Sequence, residues 1–218
     1  MAISTLIIGQ DYPDGNPYLQ AGLDCDRKVT LTANATTDSP PDGCCIWNRT
    51  SPVSAKNLII KAEALTGQLD EAVIIFDPNT AAASFQGLEI ETFSKADDEL
   101  IRGYFYAVSE VLSRFLKKNH GHIIFVKKNL SDSNSQIIPL QVAQSAFISL
   151  AENIANQFNP LVVPQVTLVE ATDTTDDFTA QWLFPYLDAS LESQSSSKKR
   201  KSPRWIKSGE KAGKRLFG

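Results

Sequence analysis

Short apolar runs alternate along this chain with longer segments in which apolar residues recur every three or four positions. Five of the short runs have the length and the apolar or β-branched content of strands. They are residues 4–9, 28–34, 71–77, 122–128 and 161–171. Several of them are apolar almost without interruption, as in parallel strands that helices cover on both faces. The pattern therefore predicts a buried parallel sheet.

The longer segments have the periodicity of amphipathic helices. They are residues 18–26, 54–70, 97–121, 137–158 and 176–192. The helix over 97–121 is the clearest, because acidic residues open it and Lys117 and Lys118 fall in its last turn. The stretches 35–52 and 78–96 lack such a period and are predicted to be irregular.

The alternation of strands with helices predicts an α/β fold. We expect a doubly wound parallel sheet in three layers, with about six or seven strands over roughly residues 3–190. Right-handed crossovers then bring the carboxyl ends of the strands to one edge of the sheet. Ligands of such folds bind outside that edge, where the strand order reverses. A ligand is therefore expected beside the residues that directly follow the strands.

The net charge of −4 hides two unequal parts of the chain. Residues 198–218 hold nine Lys or Arg and one acid, which leaves 12 bases and 24 acids in the rest. We predict an acidic domain over residues 1–192 and a basic tail over residues 193–218. The tail begins with serine and basic residues, which cannot bury enough apolar surface to offset their chain entropy. It is therefore expected to be flexible and disordered on its own.

The tail also carries apolar residues that could anchor it to a partner. Its candidate binding residues are Lys198, Lys199, Arg200, Lys201, Arg204, Trp205 and Phe217. Buried aromatic residues dominate the energy of protein interfaces, so the aromatic residues favour a protein partner. Nucleic acid or an anionic membrane is a weaker candidate, because the acidic domain would be repelled by both. A purely solubilising tail stays an open alternative.

The cysteines and the amino terminus indicate whether the protein holds disulfides or a metal and where in the cell it is expected. Cys25, Cys44 and Cys45 are an odd count, which argues against a disulfide framework. The histidines, at 120 and 122, lie far from them in sequence, and no structural metal site is expected. The chain begins with an apparent strand instead of a targeting signal, and it has no apolar run of transmembrane length. We therefore expect a cytoplasmic protein.

The segment from Gly103 to Phe158 resembles the short-chain dehydrogenase/reductase family. It combines a long helix, the strand "GHIIFV" at 121–126, a serine-rich loop, and the helical sequence "QSAFISLAENIANQF" at 144–158. The order of elements from Ser4 to about Ser190 is similar as well. The resemblance implies a Rossmann-like fold that binds NAD(P) on a glycine-rich turn. It also implies hydride transfer with an Asn, Ser, Tyr and Lys set.

The four catalytic places of that family hold other residues in this chain. The tyrosine place is Leu140 and the lysine place is Gln144. A leucine cannot transfer a proton, and a glutamine cannot supply a positive charge. The serine place falls near Lys127 and the asparagine place near Leu100. No catalytic residue is therefore predicted, and no tyrosine between residues 107 and 185 could fill the place through a shifted alignment.

The glycine-rich turn is altered too. Gly9 and Gly15 match two places of the family pattern, but the place between them is Pro13, which has no N–H to offer a phosphate. Asp11 and Asp14 would bring negative charge towards a dianion. Gly9 and Gly15 are therefore predicted to be vestigial, and no cofactor is expected.

The residues favour a non-catalytic protein with this fold, acting as a dimeric scaffold or regulatory interaction module. The resemblance implies a homodimer through the helices near 98–118 and 138–157, both of which are apolar beyond one face. The alternative is an NAD(P)-dependent oxidoreductase with an atypical active site, in which a serine of the loop at 129–136 could act. A nucleic-acid-associated protein that uses its tail is a third possibility.

Overall fold

The protein is described by a computed structural model, which covers residues 2–37, 39–158, 163–172, 175–194 and 203–212. Its centre is one sheet of seven parallel strands. The strands are β1 (Ser4–Tyr12), β2 (Lys28–Asn34), β3 (Cys44–Trp47), β4 (Glu71–Phe76), β5 (His122–Lys128), β6 (Gln165–Ala171) and β7 (Trp205–Lys207). Their order is β3-β2-β1-β4-β5-β6-β7, so the direction of winding reverses between β1 and β4. The predicted α/β doubly wound fold is confirmed.

Six α-helices flank the sheet within the described residues. They are α1 (Asn16–Asp24), α2 (Pro52–Thr66), α3 (Ile90–Ala96), α4 (Gly103–Lys118), α5 (Ile138–Gln157) and α6 (Asp176–Gln194). Local sequence sets their ends. The Ser51 side chain accepts a hydrogen bond from the Ser54 N–H at the start of α2, and Gly67 ends that helix with a φ of 95°. None of the helices in these ranges is both long and apolar enough to cross a membrane.

The helices build a separate core on each face of the sheet. On one face, α2, α4 and α5 pack against β4 and β5, and the rings of Phe76 and Phe147 stack with centroids 4.9 Å apart. On the other face, α1 and α6 pack against the same strands, with Tyr18 and Phe184 fully buried. All six residues of β4 are buried, because this strand lies in the middle of both cores.

Three segments differ from the sequence-based predictions. The stretch 35–52, predicted to be irregular, contains β3, which pairs with β2 from Leu31 to Asn34. The stretch 78–96 contains a short 3₁₀ turn and α3. The helix predicted to start at 97 begins with a π-helical segment, Asp97–Arg102, before α4. In each case tertiary pairing or packing, and not local periodicity, defines the element.

The carboxyl-terminal tail also differs from its prediction. Residues 205–207, assigned to a flexible tail, form β7 beside β6, so the sheet extends beyond the predicted domain boundary at 192. Trp205 donates its indole N–H to Glu152 at 2.7 Å, and its ring lies 4.8 Å from the Lys127 ammonium. Arg204 forms a pair with Glu210. Trp205 belongs to a strand because β7 pairs in parallel with β6, and its local sequence does not predict that pairing.

The predicted binding role of Arg204 and Trp205 stays a prediction. The other candidate residues of the tail lie outside the described residues: Lys198, Lys199, Arg200, Lys201 and Phe217.

Candidate functional site

The glycine turn follows β1 at the carboxyl edge of the sheet. Gly9 has a φ of 104°, and a Cβ placed there would lie 2.0 Å from the Ile75 carbonyl oxygen. Gly15 precedes α1, and a Cβ there would lie 2.3 Å from the Gln10 carbonyl oxygen. Both glycines are therefore required by the close packing of the turn itself, whatever it binds.

Two amide groups at this turn and helix start donate hydrogen bonds inside the protein. The Gly15 N–H donates to the Asp11 carbonyl at 3.0 Å, and the Asn16 N–H donates to the Pro13 carbonyl at 3.0 Å. Pro13 and Pro17 have no N–H. A helix amino terminus binds phosphate through free amides that point at the anion. These four positions at the start of α1 therefore offer no free amide.

The side chain of Arg49 lies across the turn from the loop after β3. Its guanidinium donates to the Gly9 carbonyl at 2.8 Å and to the Asp11 carboxylate at 2.9 Å. It also stacks on Trp47, with its central carbon 4.9 Å from the ring centroid. Burial opposes its charge, but the nearby Tyr104 and Asp11 outweigh that cost and raise the pKa of Arg49. Arg49 and Asp11 thus neutralise each other beside the turn.

A cavity of about 340 Å³ opens beside this pair. Its walls come from the carboxyl ends of β1, β2 and β3, from the loop after β4, and from the π-helical segment before α4. The charged residues that line it are Asp11, Asp14, Arg49 and Glu99. With Asp11 paired to Arg49, the two remaining carboxylates leave the cavity with a net negative charge.

A second polar group lies at the same edge of the sheet, on the β5 side. The ammonium of Lys128 lies 2.9 Å from Asp77 and 2.5 Å from Asp176. Gln10 donates to Asp176 at 2.6 Å. Asp77 also accepts the Asn79 N–H, which forms the turn after β4. We call Lys128, Asp77, Asp176 and Gln10 the lysine cluster.

The lysine cluster is almost closed to solvent. The Lys128 side chain is 10% exposed and that of Asp77 is 8% exposed. Burial lowers the pKa of Lys128, but hydrogen bonds to Asp176 and Asp77 outweigh burial, and the pKa is raised overall. Lys128 therefore stays charged and held between two carboxylates, in front of the strand end where a substrate would be expected.

The sequence and the fold of this chain were compared with those of known proteins in three ways. No protein family with a known sequence profile matches the chain. An uncharacterised protein of Treponema pallidum (strain Nichols) is 26% identical over 192 residues, which cover 85% of this chain and 83% of that protein. Many solved structures are similar, and their fold agreement is high although their sequence identity is low.

Two of these structures are named dehydrogenases. The aldohexose dehydrogenase of Thermoplasma acidophilum has a TM-score of 0.60 and 14% identity, over 90% of this chain and 74% of that one. The gluconate 5-dehydrogenase of Burkholderia cenocepacia J2315, solved with NADP and tartrate, has a TM-score of 0.57 and 14% identity, over 77% and 69%. The fold is that of the short-chain dehydrogenases and reductases. A third similar structure, ElxO with NADP bound, has a TM-score of 0.58 and 18% identity, over 78% of this chain and 73% of that one.

The four residues predicted to occupy the catalytic places of the short-chain dehydrogenase/reductase family lie in different surroundings, and their assignment to those places stays a prediction. Leu140, at the tyrosine place, is fully buried in the core under α5. Gln144, at the lysine place, lies on the next turn of α5, with its amide 3.4 Å from Asn129. Lys127, near the serine place, points away from the lysine cluster towards Glu170 and Trp205. Leu100 is buried at the edge of the cavity.

The residues that dominate this edge were not predicted from the sequence. Arg49, Gln10, Asp176, Lys128 and Asp77 were not among the predicted site residues. Arg49 reaches Asp11 across 38 positions, and Lys128 reaches Asp176 across 48. Only the parallel register of the strands brings these residues together, so no local pattern could have revealed them.

The dinucleotide that this fold implies does not fit the turn. Its pyrophosphate would meet a helix start whose amides are bonded internally and an Arg49 that is already paired with Asp11. Asp14 is an exposed carboxylate in the same turn. Two phosphates would therefore gain little hydrogen bonding and would face repulsion. Within the described residues, no cluster of His, Cys, Asp and Glu is arranged to hold a metal ion that could compensate.

Proposed function

We propose that this protein is a non-catalytic module built on the short-chain dehydrogenase/reductase fold, and that it acts as a homodimer through α4 and α5. The observation that carries the proposal is Leu140. The sequence resemblance assigns Leu140 to the place of the proton-transferring residue. Leu140 cannot titrate, and it is 0% exposed in the core. General acid or base work requires a titratable group within hydrogen-bond reach of the substrate.

The lysine cluster supports the same proposal. A reductase of this fold would need a neutral hydroxyl at the end of β5 to polarise a carbonyl. Here Lys128, a charged group, holds that edge together with Asp77 and Asp176. A charged group that is fully paired inside the protein has little left to offer a substrate.

Exposed apolar residues on α4 and on α5 support the homodimer. Phe105 and Leu116 on α4 are 48% and 51% exposed, and Ile138 and Val142 on α5 are 45% and 49% exposed. Leu112 on α4 and Ile101 in the preceding π-helical segment continue the stripe at heptad spacing and are half-buried. Exposed apolar residues that form a stripe mark a surface that another molecule covers. A second copy provides the matching stripe in an isologous pair.

Several apolar residues of the two helices predicted to form this interface belong to the protein's own core instead. Buried within the chain are Tyr104, Val108, Phe115, Phe147 and Ile154. Sequence periodicity alone could not separate the inward stripe of each helix from the outward one. The proposed interface is therefore narrower than the sequence suggested.

Cofactor binding and turnover test the non-catalytic proposal. The full chain should be titrated with NADH and NADPH by fluorescence, and assayed for oxidation of either against ketones and aldehydes. We expect no saturable binding below about 1 mM and no turnover above a protein-free control. Leu140→Tyr with Gln144→Lys should stay inactive, and Gln144→Lys alone is its matched control. Micromolar affinity, or turnover of any carbonyl compound, would refute the proposal.

A further inference from the structure

The short segment that leads into α3 exposes apolar side chains to solvent. Leu88 and Ile90 are 69% and 83% exposed. Glu89 and Glu91 alternate with them and are exposed as well, and the backbone at Glu89 is extended. Single exposed apolar residues are common on protein surfaces, but two of them so close together mark a surface that another group covers. We call residues 88–91 the acidic ridge.

The chain around the acidic ridge is strongly negative. Residues 88–99 hold five acids and one base, Lys95. The next base, Arg102, is already paired with Asp97 and Asp98. Among the described residues, no Lys or Arg forms an ion pair with either glutamate of the acidic ridge. A group that covers the ridge should therefore be basic as well as apolar.

A segment of this chain has that chemistry. Residues 214–217 read Lys-Arg-Leu-Phe and lie outside the described residues. We call them the basic segment. The acidic ridge presents two apolar side chains and two carboxylates without a cation partner in the described ranges, and the basic segment provides two apolar side chains and two bases. The two sequences are thus complementary in charge and in apolar content.

The topology brings both segments to the same edge of the sheet. The acidic ridge belongs to the connection after β4, and residues 208–212 follow β7, so both lie beyond the carboxyl ends of parallel strands. β4 and β7 are three strand positions apart, which is about 14 Å. Residues 213–217 can span up to about 17 Å when extended. The basic segment is therefore long enough to cross the strands that separate it from the ridge of its own chain.

We infer that the basic segment binds the acidic ridge of its own chain. Leu216 and Phe217 cover the apolar pair of the ridge, and Lys214 and Arg215 face its carboxylates. Such a contact between separate molecules would be weak, but the covalent connection gives it an effective concentration of about 1 mM or more. This inference goes beyond the proposed function, because it needs neither the interface on α4 and α5 nor the catalytic places.

Hydrogen exchange of the full chain, followed by mass spectrometry, tests whether the ridge is covered. Leu216→Ser with Phe217→Ser should speed the exchange of the amides of residues 88–96 at least about threefold, because the covering side chains are lost. The matched control is Val53→Ser with Leu65→Ser on α2, which removes two apolar residues that are 65% and 56% exposed. It should leave exchange at residues 88–96 unchanged.

Photo-cross-linking shows which residues the basic segment touches and in which copy. The full chain with the photoreactive p-benzoylphenylalanine in place of Phe217 should cross-link to residues 88–93 within a single chain. In that background, Glu89→Gln with Glu91→Gln should lower the yield at least about twofold at low ionic strength, where charge attraction is least screened.

A second pair of variants controls for the loss of charge. Asp24→Asn with Asp26→Asn removes the same charge from exposed positions at the end of α1, and it should not change the cross-linking yield. Thermal melting of each variant verifies that it is folded.

Three results would overturn the inference. They are exchange at residues 88–96 that Leu216→Ser with Phe217→Ser leaves unchanged, cross-links that join the two segments only between separate copies, and cross-links that reach other surfaces instead of the ridge. None of these outcomes bears on the sedimentation of the dimer, on turnover or on NADPH affinity. A failure here is therefore separable from a failure of the proposed function.

Discussion

Replacing Lys128 by methionine should destabilise the protein much more than the same replacement at Lys127. The two lysines are adjacent on β5, so their side chains leave opposite faces of the strand. Lys128 enters the lysine cluster, 2.9 Å from Asp77 and 2.5 Å from Asp176. Lys127 lies 3.7 Å from Glu170, and its ammonium faces the ring of Trp205. Methionine keeps most of the aliphatic stem in both cases, so the comparison isolates the charge.

The magnitude follows from burial. Without Lys128, two carboxylates with side chains 8% and 21% exposed lose their counter-charge. Removing one partner of a buried ion pair costs about 3–5 kcal/mol. For a chain of this size that corresponds to a fall in Tm of about 6–20 °C. Lys127 makes a looser pair and one cation–π contact, together worth about 1 kcal/mol, so its variant should lose only a few degrees.

Urea and thermal unfolding at pH 7 measure both variants. A third variant, Lys128→Met with Asp77→Asn and Asp176→Asn, should recover part of the lost stability, because it removes the uncompensated charges. If Lys128→Met loses no more stability than Lys127→Met, or if the triple variant recovers nothing, the paired charges of the lysine cluster do not stabilise the edge of the sheet.

Two further predictions concern the dimer and the response to acid. In sedimentation equilibrium at about 20 µM the wild type should be a dimer, and the double variant Phe105→Ser with Leu116→Ser should be a monomer. The control, Val53→Ser with Leu65→Ser on α2, should stay dimeric. A monomeric wild type would contradict the proposed interface. His122 is buried, and burial lowers its pKa from 6.5 to about 4. His122 is therefore protonated below about pH 6.5 in the unfolded chain but only below about pH 4 in the folded chain. Because the unfolded state binds this proton more tightly, the free energy of unfolding should fall by about 2 kcal/mol between pH 7 and pH 5. His122→Gln should remove this part of the fall in urea titrations, and an unchanged pH dependence would disprove its origin in His122.

Sequence patterns were sufficient to predict most of the strands of the sheet. The runs that form β1, β2, β4 and β5 are apolar or β-branched, and each is bounded by turn residues or by a helical period. The same patterns failed for β3, whose four residues follow Pro40 and Pro41 and are too short to show alternation. They failed for β7 because Trp205 sits among basic residues, and its strand exists only through pairing with β6.

The candidate site was predictable only in its backbone. Gly9 and Gly15 were recognised from their spacing in the sequence. The structure shows why both must be glycine, because a Cβ at either position would collide with a backbone carbonyl oxygen. The side chains that decide the chemistry did not stand out, because the partners of Arg49 and Lys128 are distant in sequence. Strand register and helix entry determine such pairs, and neither can be derived from a local pattern.

The short strand β7 has a consequence for any shortened form of this protein. It covers Leu168, Val169 and Glu170, the middle of β6, and leaves the sheet with an edge only three residues long. A chain cut after 194 to remove its basic end would lose that cover, and the backbone N–H and C=O groups of β6 would face solvent. Exposed edges of this kind recruit strands from other molecules. Trimming the segment that looks most dispensable would thus be expected to produce aggregates instead of a better-behaved domain.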